Sequence, residues 1–139
     1  MHLKKNKIGI LGGSFDPAHK GHLAISKEAI KRFKLKKIIW AITKKNPFKK
    51  ESTHSLKTRI KHCKKITQKM KLIKIKFFED IIKSNKTIDL IRYFARDKNN
   101  EIYFLMGADN LINFHRWHQS KKITQKCNII VFDRQGYKR

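Results

Sequence analysis

Cysteine is scarce: Cys63 and Cys127 stand far apart, with no CxxC spacing and no secretory context. This excludes a disulfide framework and leaves two reduced thiols expected to serve packing. Long apolar runs are missing as well. A bilayer span needs about 18 apolar residues in succession. The opening MHLKKNKIGILGG is too short in its apolar part, and too glycine-bounded, for a secretion signal. A cytoplasmic location is therefore expected. Acidic side chains are few, 10 against 35 Lys and Arg, for a net charge of +25. Such a field draws in polyanions at long range and makes their binding salt-sensitive. Yet only seven of the basic residues are Arg, and the lysines are spread along the chain without stacking aromatics, unlike a dedicated nucleic-acid surface. Nucleic acid is thus not the expected partner. The charge reads as a Lys-, Ile- and Asn-rich composition with solvated lysines, or as a field that attracts phosphorylated small molecules. Internal repeats and low-complexity segments are absent too, and 139 residues, 40% of them hydrophobic, suffice for one core.

Apolar runs at Lys7 to Leu11, 36–43, 72–78, 101–109 and 128–132 read as five strands. Between them, apolar residues recur at helical spacing over Leu23 to Phe33, from Leu56 to Met70 with Ser55 as cap, and from Thr87. Strands separated by helices, with connections far longer than hairpins, predict an α/β fold. The expected architecture is a Rossmann-like, doubly wound, parallel five-stranded sheet with helices on both faces.

The first strand runs into GGSFDPAHKGHL, residues 12–23. In a doubly wound sheet this turn is the usual phosphate seat. Gly12 and Gly13 would let backbone approach a ligand, Pro17 would stiffen the turn, and Gly21 would keep the helix start open to an anion. Two standard phosphate loops are lacking, since neither GxxxxGK[ST] nor GxGxxG is present. The spacing of His19 and His22 puts both on one side of the helix start, where imidazole donors could hold phosphate oxygens and the charge that grows on them. A metal site stands beside that reading, although the only acidic or cysteine ligand near in sequence is Asp16. A second HxxH pair, His115 and His118, has no glycine context and is read as structural.

GSFDPAHKGH resembles the GxFDPxHxGH signature of the HxGH nucleotidyltransferases, and the rest of the chain resembles bacterial nicotinate-nucleotide adenylyltransferases. The resemblance implies transfer of the adenylyl group of ATP to nicotinate mononucleotide, with Mg²⁺ neutralising the phosphates and NAD biosynthesis as the setting. His19 and His22 would then be catalytic, with Gly12, Gly13, Ser14 and Phe15 at the nucleotide. In FLMGADNLINFHRWHQ, Gly107 and Asp109 would contact a ribose and Trp117 would stack on the pyridine ring. On residue type alone, Asp109 is equally a cap for a helix starting at Asn110, and Trp117 equally a core residue. KNPFK would bring Lys45 and Asn46 to the acceptor, SNKTIDLI would bring Thr87 to its carboxylate, and FDRQGY would bring Arg134 to the site. Members of the family also carry, after the fifth strand, a Ser/Thr-rich segment ending in Ile-Arg that helps bind ATP phosphates. The sequence here closes at Gly136-Tyr137-Lys138-Arg139. A single nucleotidyltransferase domain over 1–139, shortened at its C-terminal end relative to the family, is the expectation. Lys20, Lys44 or Lys45 could supply part of the charge neutralisation. Alternatives are a related enzyme acting on phosphopantetheine or nicotinamide mononucleotide, and a non-catalytic domain that binds RNA or another polyanion.

Overall fold

A computed structural model describes residues 5–44 and 54–133. Strand β1 (Asn6–Gly13) leads through the motif to helix α1 (Lys20–Phe33), then β2 (Lys37–Ile42), α2 (Leu56–Ile66) and β3 (Ile73–Lys76). There follow α3 (Glu79–Ile82), α4 (Thr87–Ala95), β4 (Asn100–Gly107), α5 (Ala108–Ile112), a 3₁₀ turn at Phe114–Arg116, α6 (Ser120–Lys126) and β5 (Asn128–Phe132). The five strands form one parallel sheet in the order β3-β2-β1-β4-β5. This is the doubly wound arrangement expected from the strand and helix runs.

Both faces of the sheet are covered, so the central strands are apolar at successive positions and sort them by the two-residue period of a strand. On β2, Ile38, Trp40 and Ile42 join Leu11, Ile25, Ala29, Cys63 and Leu105 in one apolar layer. Ile39 and Ala41 turn to the other, with Ile8, Ile10, Ile88, Ile91, Ile102, Phe104 and Ile123. Cys63 is fully buried, as expected of a packing thiol, and burial pushes its pKa up to about 11.

The sequence boundaries shift in informative ways. Ser55 caps α2 as expected, accepting the Thr58 N–H, but the helix stops at Ile66 and Met70 lies beyond it. Helices α3 and α6 have no counterpart among the expected elements, and α5 begins two residues before the helix start considered at Asn110. The run expected to end before Gly12 continues as strand to Gly13. Pairing between β1 and β4 stops at Leu11 and Leu105, while β1 stays with β2 to Gly13–Ile42 and β4 stays with β5 to Gly107–Phe132. The sheet therefore splits at its carboxyl edge between β1 and β4, where its winding reverses, the usual ligand crevice of such folds. Gly12 and Gly13 stand on one side of the split and Gly107 on the other. Among the described residues no helix is long and apolar enough to cross a membrane.

Candidate active site

The turn after β1 does not use its glycines for backbone freedom. No described glycine has positive φ, and the left-handed residue is Phe15, at φ 50°. Its side chain anchors that conformation: it is 3% exposed, stacked on Trp40 at 4.9 Å and 16°, and 4.7 Å from the His22 ring. Backbone strain of this kind, about 1–2 kcal/mol, persists where packing over-determines it. Phe15, expected at the nucleotide, thus has its side chain in the core, and only its backbone can meet a ligand. A Cβ on Gly12 or Gly13 would meet no atom closer than 3.7 Å. The protein's own packing does not require these glycines.

The two imidazoles are fixed by the start of α1. The His19 backbone N–H donates to His22 Nδ1 at 3.0 Å, and the Gly21 N–H donates to His19 Nδ1 at 3.0 Å. This is a reciprocal capping box in which imidazoles replace the usual hydroxyl and carboxyl groups. Since both Nδ1 atoms accept from backbone N–H groups, each neutral ring carries its proton on Nε2. The rings lie side by side, with centroids 4.0 Å apart. Burial first, and then the neighbouring His19, pull the His22 pKa from 6.5 to about 4, so near neutral pH His22 is an uncharged Nε2–H donor. Gly21 has a different role from the one its position suggested. Its N–H is capped rather than open to an anion, and a Cβ there would stand 2.8 Å from the His19 ring. Behind the pair, buried Ser26 donates to the His22 carbonyl and accepts from Trp40 Nε1.

Helix α2 braces the turn from the side. His54 Nδ1 pairs with Asp16 at 2.6 Å, and the His54 N–H also donates to that carboxylate. His62 Nε2 donates to the Ala18 carbonyl at 3.1 Å. Arg59, 2% exposed, donates to the Ser14 carbonyl at 2.9 Å. Asp16, a candidate metal ligand by sequence, is engaged with His54. Among the described residues no group of three or more His, Cys, Asp or Glu could hold a metal ion.

The remaining expected residues fall at the same edge of the sheet or outside the described residues. Gly107 ends β4 and Thr87 opens α4, half-buried. Helix α5 starts at Ala108 with Gly107 as N-cap, so Asp109 lies within the first turn and is not the cap of a helix starting at Asn110. Its side chain lies outside the described atoms. Trp117 is half-buried, packed against Phe104 at 5.9 Å and Phe114 at 5.3 Å. Lys45, Asn46 and Arg134 lie outside the described residues. His115 and His118 are exposed. A depression of about 510 Å³, lined by Asn6, Lys36, Lys37, Arg96 and Asn100 among others, opens at the amino edge, away from the motif. Arg59 and His54 escaped the sequence reading. Arg59 is the single arginine among the lysines of α2, but its residue type does not say which segments it joins.

A family of cytidylyltransferase-like proteins matches residues 10–138. A protein of Pelagibacter ubique (strain HTCC1062) named "Probable nicotinate-nucleotide adenylyltransferase" is 65% identical over 138 residues, covering 99% of this chain and 77% of that protein. A protein of the same name from Bradyrhizobium sp. (strain ORS 278) is 38% identical, covering 92% and 67%. Among solved structures, Plasmodium falciparum nicotinic acid mononucleotide adenylyltransferase complexed with NaAD superposes with a TM-score of 0.81 at 21% identity, covering 96% of this chain and 67% of that one. At that identity the likeness concerns the fold.

Proposed function

The chain belongs to the cytidylyltransferase-like family and, within it, to the nicotinate-nucleotide adenylyltransferases, and from that membership we propose that it forms deamido-NAD and pyrophosphate from ATP and nicotinate mononucleotide. The acceptor phosphate oxygen attacks the α-phosphorus of ATP. The new O–P bond forms as the bond to the β-phosphate oxygen breaks, and pyrophosphate leaves. No covalent enzyme intermediate is needed, so catalysis rests on positioning and on stabilising charge.

The observation that carries this reading is the imidazole capping box. It fixes two Nε2–H donors side by side, at the helix start beside the split between β1 and β4. In the proposed roles His22 donates to the oxygens around the reacting phosphorus, and His19 orients the leaving phosphates. Gly12, Gly13, Ser14 and the Phe15 backbone cradle the nucleotide, with Gly107 and Asp109 at a ribose. Lys45, Asn46, Thr87, Trp117 and Arg134 serve the acceptor. Mg²⁺, with no protein cage among the described residues, fits as a metal that arrives on the ATP phosphates. It would neutralise their charge. The cytoplasm is the proposed setting of the reaction.

Pyrophosphate release from ATP and Mg²⁺ with a panel of acceptors tests the proposal. Nicotinate mononucleotide should be preferred over nicotinamide mononucleotide and phosphopantetheine. Preference for either of the others overturns the acceptor assignment. RNA binding with a steep salt slope, and no transfer to any acceptor, overturns the enzymatic reading.

A further inference from the structure

Arg59 is a buried guanidinium whose hydrogen bonds among the described residues go to main-chain carbonyls. Besides Ser14 at 2.9 Å, it donates to Thr43 at 2.7 Å, Lys44 at 2.6 Å and His54 at 3.1 Å. Burying a guanidinium is unfavourable unless its hydrogen bonds are made, and an apolar side chain would serve packing alone at least as well. The four carbonyls belong to three separate segments: the β1–α1 turn, the exit of β2, and the residue before the α2 cap. At the exit of β2 a second group answers the first. Glu79, opening α3, accepts the Lys44 N–H at 3.2 Å, so Lys44 is held at its N–H by a carboxylate and at its C=O by the guanidinium. The Thr43 N–H, in turn, donates to the Gly13 carbonyl at 2.8 Å.

Resting on the function proposed above, we propose that Arg59 and Glu79 form a positioning clamp that sets the exit of β2 against the β1–α1 turn. The clamp thereby holds Thr43 and Lys44, where the chain leaves β2, against the turn that leads into the two imidazoles. The chain passes from Lys44 directly to Lys45 and Asn46, the residues expected at the acceptor. In-line transfer tolerates little misplacement, since about 1 Å can lower a rate roughly 100-fold. A planar fork of donors can grip carbonyls on several segments at once, whereas a lysine ammonium is a single point on a flexible stem. Neither clamp residue touches substrate in this scheme.

Four variants, Arg59→Lys, Arg59→Met, Glu79→Ala and Glu79→Gln, test the clamp through residue-resolved amide hydrogen exchange and acceptor kinetics. The Lys44 amide should exchange at least tenfold faster in both Arg59 variants, though its own bond is to Glu79, while the β4 amides stay protected. The acceptor KM should rise about tenfold in Arg59→Lys, with a further drop in kcat. Glu79→Ala should speed Lys44 exchange, and Glu79→Gln should restore it, because an amide oxygen still accepts. Unchanged Lys44 exchange, or acceleration spread evenly over all five strands, overturns the clamp. So does a Glu79→Gln variant as perturbed as Glu79→Ala. If the Arg59 variants do not fold, the Glu79 pair decides. If the unaltered protein makes no deamido-NAD, the proposed function falls, while hydrogen exchange still decides the clamp.

Discussion

His22 carries two jobs on two atoms, and two substitutions separate them. Its Nδ1 accepts the His19 N–H at 3.0 Å, and its Nε2–H is the proposed phosphate donor. Asparagine places an oxygen near Nδ1 and nothing at Nε2; glutamine reaches toward Nε2 with an amide but has only carbon at the δ position. His22→Asn should therefore keep the cap. It loses ring packing against Phe15 at 4.7 Å and Trp40 at 5.8 Å, worth about 1 kcal/mol. For a chain of this size that is a drop in Tm of about 3–4 °C. Its turnover should fall on the order of 100-fold or more, equivalent to about 2.7 kcal/mol of transition-state stabilisation. His22→Gln should lose both cap and packing, about 2 kcal/mol together, yet keep turnover within about tenfold. The stability order and the activity order thus run opposite ways. Pyrophosphate release at saturating substrates, beside thermal melts of the same samples, reads both. Parent-like turnover in His22→Asn would refute the donor role. Losses of turnover that simply follow the loss of Tm in both variants would reduce His22 to a helix cap.

Two further outcomes follow from the capping box. Gly21→Ala should leave Tm within about 3 °C, because the gain in helix propensity, about 1 kcal/mol, offsets a weakened cap of similar size. The new Cβ would displace the His19 ring, so turnover should drop at least tenfold, and unchanged kinetics would show that the orientation of His19 is immaterial. The second concerns pH. With the His22 pKa lowered from 6.5 to about 4, the unfolded chain takes up a proton in that window that the folded chain refuses. Stability contributed by the neutral ring is present above pH 6.5 and is lost as pH falls toward 4, by roughly 3 kcal/mol at most. Glu79, its pKa raised above 4.5 chiefly by burial, runs the other way and removes stability as pH rises. Comparing parent with His22→Asn isolates the imidazole. The Tm advantage of the parent should shrink steadily between pH 7 and pH 4, and a constant gap would contradict a neutral capping ring.

The fold was legible where residue type repeats over a long enough stretch. Ile38, Trp40 and Ile42 alternate with Ile39 and Ala41, and 14 residues of α1 give the helical period room to show. Helices α3, α5 and α6, of four, five and seven residues, complete too few turns for any period to emerge. Their positions come from packing and from the strands they connect. The candidate site divides in the same way. Two histidines in a GxFDPxHxGH frame are visible as letters, but the atom each spends on the helix cap, and hence the atom left to donate, depends on backbone geometry at Lys20 and Gly21. Arg59 is less legible still. Its partners are carbonyls, which every residue owns, so no second residue type accompanies it in the sequence as a carboxylate would accompany an ion-paired arginine. Helix α2 carries Lys57, Lys61, Lys64 and Lys65 around it, and only the side of the helix on which position 59 falls turns this one cation inward to Ser14, Thr43 and Lys44. A charge excess that identifies no partner by composition thus contains one charge whose place is set by the site. Neutralising lysines on the solvent face of α2 and neutralising Arg59 are different perturbations, even though each lowers the same net charge by one.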